Sequence, residues 1–151
     1  MAGSYTGTKA QSGNQTQVSI GSTPTLVGEV SDFTQSGTQN KSEDATNLES
    51  TAEEFIPTIL TPGKFAGVMN RISGDAGQQA VRTAFTSVPP AIAAFTVQLP
   101  KTSAQTSTGD KYTFNALVEE FNDLGKISPT GIIKTQFSLK ISGPITFTAG
   151  S

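Results

Sequence analysis

Three neighbouring stretches of the chain read NLESTAEEFIP at residues 47–57, KFAGVMNRI at 64–72 and DAGQQA at 75–80. The last one predicts an α-helix over about 75–86, because Asp75 is a favourable N-cap and the apolar residues after it recur at helical spacing. The pair Pro89-Pro90 ends the pattern. Other parts of the chain show no comparable helical pattern, so we expect strands and loops to form the rest of the fold.

Alternation of apolar and polar residues predicts the strands. The clearest example runs from Ile133 to Ile141, with lysines among the residues of its outer face. Weaker alternation occurs at 17–30, 64–72, 93–99 and 112–118. These patterns predict a mainly β fold, an antiparallel β-sandwich or barrel flanked by the one α-helix.

A polar segment precedes the helix. Its first thirteen residues, from Thr34, include no apolar side chain larger than that of Ala45. We expect a long polar loop at about 34–49, and loops of this length are often functional. Ser50 and Glu53 then have capping-box spacing, which predicts a single helical turn before Pro57.

The two ends of the chain differ in character from its middle. Residues 1–16 are small or polar, so we expect a flexible N-terminal arm, followed by a single β domain at 17–151. The tail from Ile145 to Ser151 is short, uncharged and β-prone. We expect this tail either to pair with an edge strand or to promote association.

Composition argues against the commonest catalytic chemistries. The sequence contains no Cys and no His, which removes thiol nucleophiles, imidazole bases and the usual zinc ligands. The adjacent acids Glu53-Glu54 and Glu119-Glu120 would point to opposite faces of a strand, so their spacing does not create a carboxylate pair. We therefore expect no enzyme, no cofactor and no metal site.

Charge and hydropathy limit the partners. The net charge of −2 argues against tight DNA binding, which needs clustered Lys and Arg. Acids dominate the first fifty residues and the last third is slightly basic. This polarity would favour head-to-tail contact between identical subunits, although a solvated surface explains it too. Because neither a signal peptide nor a long apolar segment is present, we expect synthesis in a cytoplasm and no membrane insertion.

The quoted stretches resemble the tail tube proteins of long-tailed, non-contractile bacteriophages, a lambda-like family related to type VI secretion tube proteins. Family members carry a similar run of TxLDSTAxEFIPG, GGEVSxTGNF and DAGQQALRAAF, and the likeness spans roughly residues 32–85. The resemblance implies a structural virion protein that polymerises into stacked hexameric rings. The resulting tube would conduct DNA into the host without binding it tightly.

The same resemblance implies partners and contact sites. The partners would be further copies of the chain, a tape-measure protein, a tail terminator and baseplate or tail-tip proteins. Ring-to-ring contacts would lie in the long loop and the terminal arms. The implied contact residues are Thr34, Gln35, Gln39, Asn40, Lys41, Glu43, Asp44, Asn47, Glu49, Ile145 and Phe147.

Three other functions stay open. A tube protein of a contractile tail or injection machine would share the rings and the fold, and a sheath partner would distinguish it. A β-sandwich pilin or adhesin subunit, whose amino arm completes a neighbour, is disfavoured by the missing signal peptide. An enzyme would need a deep polar pocket with perturbed carboxylates.

Overall fold

A computed structural model describes residues 11–151, and in that part it contains one helix and nine strands. Their bounds are β1 (Gln17–Ile20), β2 (Thr25–Leu26), β3 (Val30–Ser36), β4 (Gln39–Asp44), β5 (Phe55–Thr61), β6 (Lys64–Asn70), α1 (Ala76–Thr86), β7 (Ile92–Gln98), β8 (Lys111–Lys126) and β9 (Lys134–Thr148). The predicted mainly β class with one helix is confirmed. Of the predicted N-terminal arm, residues 1–10 lie outside the described part.

Seven of these strands form one antiparallel sheet in the order β2-β1-β7-β8-β9-β6-β3. The remaining two, β4 and β5, pair only with each other among the described strands. The large sheet curls around a single apolar core, to which strands from both of its halves contribute. It therefore resembles an incompletely closed barrel, whose free edges are β2 and β3.

The core follows from the alternation seen in the sequence. The inward residues of the first half of β9 are buried, and they are Thr135, Phe137, Leu139 and Ile141. Aromatic rings connect the two halves of the sheet, since the Phe114 ring lies 4.9 Å from that of Phe65 and 5.9 Å from that of Phe95. Ile133 differs from the prediction, because β9 begins after it and its side chain is 39% exposed.

Helix α1 begins where the sequence predicts it, with Asp75 as N-cap. It lies against β1, β2 and β8 and closes one side of the curled sheet. Gly77 is required at this contact, because a Cβ there would collide with the backbone of Leu26 and Val27. Phe85, which continues the apolar spacing of the helix, is 37% exposed beside the ring of Phe121.

The predicted polar loop at 34–49 is wrong in its first part, because residues 34–36 complete β3 and residues 39–44 form β4. The predicted helical turn after Ser50 is also wrong, since Phe55 begins β5. The physical reason is backbone pairing: β5 pairs with β4 on both sides of an irregularity between Asn40 and Ser42, and backbone hydrogen bonds are independent of side-chain polarity.

The carboxyl-terminal segment is not a separate arm. Residues 145–148 are the end of β9 and pair with the start of β8, with Phe147 opposite Tyr112. Beyond the strand, the Ser151 carbonyl oxygen accepts hydrogen bonds from backbone N–H groups of the β7–β8 connection, at 2.8 Å from Thr106 and 2.7 Å from Ser107. The tail therefore pairs with a strand, but the predicted edge strand is wrong, because its partner β8 lies inside the sheet between β7 and β9.

Candidate assembly surfaces

The described residues offer surfaces rather than a chemical centre. Within residues 11–151, no group of three or more Asp and Glu side chains is arranged to hold a metal ion. No helix in the same part of the chain is long and apolar enough to cross a membrane. Three surface features instead carry exposed apolar side chains: two are the ends of hairpins, and the third is a groove lined by several strands.

The first feature is a β-hairpin that we call the ribbon, residues 39–61, made of β4, β5 and their connection. It extends the β3–β6 pair beyond the sheet. Its base is fixed where Thr38 Oγ1 donates a 2.8 Å hydrogen bond to the Pro62 carbonyl. Gly63 follows with φ of +87°, a conformation that favours glycine, and a Cβ there would collide with the Ser36 carbonyl.

The two strands of the ribbon have opposite character. All six residues of β4 are polar and exposed. On β5 the large apolar side chains are 68, 58, 71 and 48% exposed, and they belong to Phe55, Ile56, Ile59 and Leu60 respectively. Solvated apolar side chains of this size, next to one another on one strand, mark an interaction surface.

The ribbon presents apolar groups on both of its faces. Phe55 and Leu60 lie opposite Asp44 and Asn40, which are an even number of residues apart on β4 and so share one face. Ile56 lies opposite Glu43 and is on the other face. The second edge of β5 has no strand beside it among the described strands. Because isolated two-stranded hairpins are marginally stable in water and free edges favour pairing, this ribbon is suited to being covered by another chain.

The end of the ribbon is a compact acidic loop. The Ala45 N–H donates to the Glu54 carbonyl at 2.9 Å, and the Glu54 N–H donates to Thr46 Oγ1 at 2.8 Å. The Thr46 N–H donates to Asp44 Oδ1 at 2.9 Å, which lowers the pKa of that exposed carboxyl group. The ribbon's charged residues are five acids and one lysine, namely Glu43, Asp44, Glu49, Glu53, Glu54 and Lys41.

The second feature is an open groove of about 1030 Å³ between the two edges of the curled sheet. We call it the groove. Its walls are largely apolar and aromatic, with Phe33 stacked on Phe65 at 4.5 Å between ring centroids and Tyr112 against Phe147 at 5.1 Å. Asp32, on the edge strand β3, is the one charged residue among the described residues that line it, and it also lines a neighbouring cleft together with Lys64 and Glu120.

The third feature is the end of the β8–β9 hairpin, residues 124–133, which we call the tip. Its four large apolar side chains are 62, 62, 60 and 39% exposed, and they belong to Leu124, Ile127, Ile132 and Ile133. The base of the tip is fixed by Asp123, whose carboxylate binds Arg82 at 2.9 Å and Arg71 at 3.3 Å. The Thr135 hydroxyl also donates to the Asp123 carbonyl at 3.1 Å.

The predicted contact residues fall into two groups. Gln35, Ile145 and Phe147 come from distant parts of the sequence and line the same groove. The others lie on the outer part of β3, on β4 and in the ribbon loop, and they are Thr34, Gln39, Asn40, Lys41, Glu43, Asp44, Asn47 and Glu49. Their predicted role in contacts between subunits stays a prediction.

Sequence reasoning did not single out the apolar strand of the ribbon or the tip. A signal for the first existed in the run FIPTIL at 55–60, which is too apolar for a solvated connection. No comparable signal marked the tip, because its isoleucines adjoin the alternating pattern of β9 and look like core residues.

No family model and no curated protein matches the sequence. Solved structures do match in fold. The sheath-tube complex of the extracellular contractile injection system PVC contains a chain with TM-score 0.70 and 10% identity, covering 93% of both chains. The tail of a gene transfer agent particle, solved with C6 symmetry, gives TM-score 0.70 and 16% identity, covering 93% of this chain and 100% of that one.

The SPP1 tail tube gives TM-score 0.67 and 14% identity, covering 94% of this chain and 80% of the SPP1 chain. This chain has a tail tube fold. The fold is shared by tubes of phage-like particles and of contractile injection systems, so it does not by itself distinguish these two classes. Similar chains also occur in a tube terminating cap and a baseplate of the anti-feeding prophage.

Proposed function

We propose that this protein is the structural subunit of a tail tube. Copies of the chain close into hexameric rings, and the rings stack into a hollow tube that belongs to the tail of a phage-like particle. The tail tube fold supports this assembly, as does the C6 symmetry of the gene transfer agent tail to which the chain is similar. The function is one of structure and passage rather than catalysis.

The ribbon is the single observation that best supports polymerisation. It projects from the sheet, exposes Phe55 and Leu60 on one face and Ile56 on the other, and leaves one strand edge without a partner among the described strands. A monomer would gain nothing from these features, since each favours aggregation or wrong pairing. A tube would cover them in every copy.

The predicted contact residues fit this proposal in chemistry. The polar residues of β4 stand beside the apolar strand β5, so a neighbouring copy would meet an apolar strip with a polar border. Such an arrangement is common in interfaces between protein subunits. In the proposal, the ribbon residues contact one neighbour, and Gln35, Ile145 and Phe147 contact another through the groove.

The tube would serve as the conduit for DNA during ejection into a host. A chain with a net charge of −2 supplies few of the phosphate contacts that hold DNA in place, so DNA would slide rather than bind. Further proposed partners are a tape-measure protein inside the tube, a terminator at one end and baseplate or tail-tip proteins at the other. The subunit would be made in the host cytoplasm before assembly.

A second candidate is the tube of a contractile tail or injection machine. The similarity to the PVC sheath-tube complex supports it, with the same TM-score as the gene transfer agent tail. The two candidates differ in the outer surface of the tube, which must bind a sheath only in a contractile machine. Isolation of the assembled particle and identification of a sheath protein around the tube would decide for the second candidate.

Concentration of the purified chain tests the proposed function directly. Light scattering is followed as the protein concentration rises, and samples are examined by negative-stain electron microscopy. Hollow tubes or stacked rings of uniform diameter with sixfold end views are expected. A chain that stays monomeric up to millimolar concentration, also in the presence of sonicated tail fragments as nuclei, contradicts the proposal.

A further inference from the structure

We propose that the tip of one copy inserts into the groove of the next copy, which gives the tube its head-to-tail polarity. The inference rests on the proposed function, because it takes a second copy of the chain as the occupant of the groove. It adds a specific pair of surfaces, residues 124–133 on one copy and the walls around Phe33, Tyr112 and Phe147 on the other.

The tip and one wall of the groove lie at opposite ends of the same hairpin, whereas the β3 wall of the groove reaches toward the tip end, because Val30 pairs with Met69 and Met69 with Thr135. Strand β8 begins with Lys111 opposite Thr148 and ends with Lys126 opposite Lys134. Tyr112 at the first end lines the groove, and Leu124 begins the tip at the other end, about 40 Å away at the usual rise of a strand. A subunit whose tip meets the far wall of the next copy's groove is able to stack without limit.

The groove and the tip fit each other in size and polarity. A volume of about 1030 Å³ is at the upper end of the range for ligand pockets, so it has room for several side chains. The tip offers four aliphatic side chains within ten residues on a narrow hairpin. Both surfaces expose apolar groups to water in the single copy, and contact between them would remove both exposures.

The tip is also held in a defined shape before contact. The Gly131 N–H donates to the Ser128 carbonyl at 3.3 Å, and the Ser128 and Thr130 hydroxyl groups are 3.2 Å apart. Asp123 fixes the base of the hairpin to α1 and to the end of β6 through its two arginines. Little conformational entropy therefore remains to be lost on insertion, which favours binding.

Charge is complementary as well. Asp32 is exposed at the edge of the groove, where it shares a neighbouring cleft with Lys64 and Glu120, and the described residues lining the groove itself include no cation. The tip carries the exposed Lys126, whereas its neighbouring acid Asp123 is neutralised by two arginines. The acidic ribbon extends from the same end of the sheet as the groove. In the proposed contact, Asp32 and the acidic ribbon are on the side that the basic tip approaches, and this difference in charge favours one direction of approach.

Such a contact has a structural consequence. The tip and the groove are different surfaces, so the contact is heterologous and is not consumed by forming a dimer. Each bound copy presents a new groove at one end and a new tip at the other. In the proposal, repetition of this contact extends a file of copies along the tube, and the ribbon remains available for a contact with another copy.

Cysteine cross-linking tests the placement, because the chain itself contains no Cys. In the double variant Ile127→Cys/Gln35→Cys, both positions are exposed, one in the tip and one at the groove. Treatment of concentrated protein with a short bis-maleimide is expected to yield a ladder of covalent multimers on a denaturing gel. Each single variant should yield no ladder, and a mixture of the two should yield dimers only.

Two further pairs serve as controls for the occupant. Ile59→Cys/Gln35→Cys reports insertion of a ribbon instead of the tip, and Ile92→Cys/Gln35→Cys uses an exposed isoleucine outside all three surfaces. The inference is overturned if the ribbon pair yields a ladder. It is also overturned if neither the ribbon pair nor the tip pair yields one, and both results hold whether or not tubes are seen. A ladder from the tip pair in samples without hollow tubes supports the inference and contradicts the proposed function.

Charge exchange provides an independent test of the same contact. Asp32→Lys and Lys126→Glu each place like charges together, and each is expected to raise the concentration needed for polymerisation roughly fivefold. The double variant Asp32→Lys/Lys126→Glu restores opposite charges and should return to the original concentration. If the double variant is as impaired as the two single variants combined, Asp32 and Lys126 do not meet and the inference is wrong.

Discussion

Asp75 Oδ2 accepts a hydrogen bond from the backbone N–H of Gly28 at 3.1 Å, across 47 positions of sequence. The same oxygen accepts the N–H of Gln78 at 3.0 Å and so caps α1. One carboxylate therefore ties the first turn of the helix to the connection between β2 and β3. A Cβ at position 28 would lie only 2.8 Å from Asp75 Oδ1, so the close approach of this carboxylate requires glycine at position 28.

Replacement of this carboxylate should be costly. We expect Asp75→Ala to lower the free energy of unfolding by about 2 kcal/mol, because it removes an N-cap and leaves two part-buried N–H groups without their acceptor. Asp75→Asn keeps one acceptor oxygen and should lose less. Urea denaturation of the monomeric protein measures both. An Asp75→Ala protein within 0.5 kcal/mol of the parent would contradict this account.

Gln78 and Gln79 offer a matched pair on one helix. Gln78 is 3% exposed, its Oε1 accepts the Ile72 N–H at 3.0 Å, and its Nε2 donates to the carbonyls of Gly28 and Asn70 at 2.9 and 2.8 Å. Gln79 is exposed. We expect Gln78→Ala to cost about 3 kcal/mol, because three backbone groups lose their partner in a part-buried site.

The control variant Gln79→Ala should change the free energy of unfolding by less than about 0.5 kcal/mol, since alanine favours the helix and the glutamine side chain is solvated. The same denaturation curves compare the two variants. Equal losses for both would mean that the hydrogen bonds of Gln78 contribute nothing beyond helix propensity.

The helix and its cap follow from local sequence. The helix was predictable because its cap, its apolar spacing and its terminating prolines are all within one short segment. The role of Gln78 was not, because its partners at Gly28 and Asn70 are brought near only by the tertiary fold. A glutamine that completes three backbone hydrogen bonds has no signature in the sequence.

The surfaces were harder to predict for the same reason. Strand β4 is composed of residues typical of loops, and it is a strand because β5 pairs with it from the far side of the acidic loop. Pro57 suggested the end of a helical turn, yet it lies within the edge strand β5 close to a bulge, where a proline is tolerated. Whether Ile133 belonged to the core or to the tip depended on where β9 began.

The ribbon loop should respond to acid. The hydrogen bond from Thr46 lowers the pKa of Asp44 in the folded protein. The bond therefore stabilises the ribbon loop fully when the pH is above the ordinary carboxyl pKa. The contribution is lost as the pH falls through the lowered pKa, because the protonated group is a poorer acceptor. We expect the Thr46 amide signal in NMR spectra to titrate below the ordinary carboxyl range, and Asp44→Asn to abolish the transition. Titration at the ordinary value would contradict the role of this bond.

Exposed apolar residues of the ribbon should matter for assembly and not for folding. Phe55 and Ile59 are 68 and 71% exposed, so Phe55→Ser/Ile59→Ser removes little burial from the monomer, and its free energy of unfolding should stay within about 1 kcal/mol of the parent. In the tube these side chains would be covered, and their loss should prevent polymerisation or raise the required concentration at least tenfold.

Ile92→Ser, at 60% exposure outside the ribbon, is the matched control and should polymerise normally. Because unfolding of the monomer and scattering by the polymer are measured on the same protein, a defect in folding is separated from a defect in contact. Normal tubes from the double variant would show that the apolar strand of the ribbon lies outside the interface.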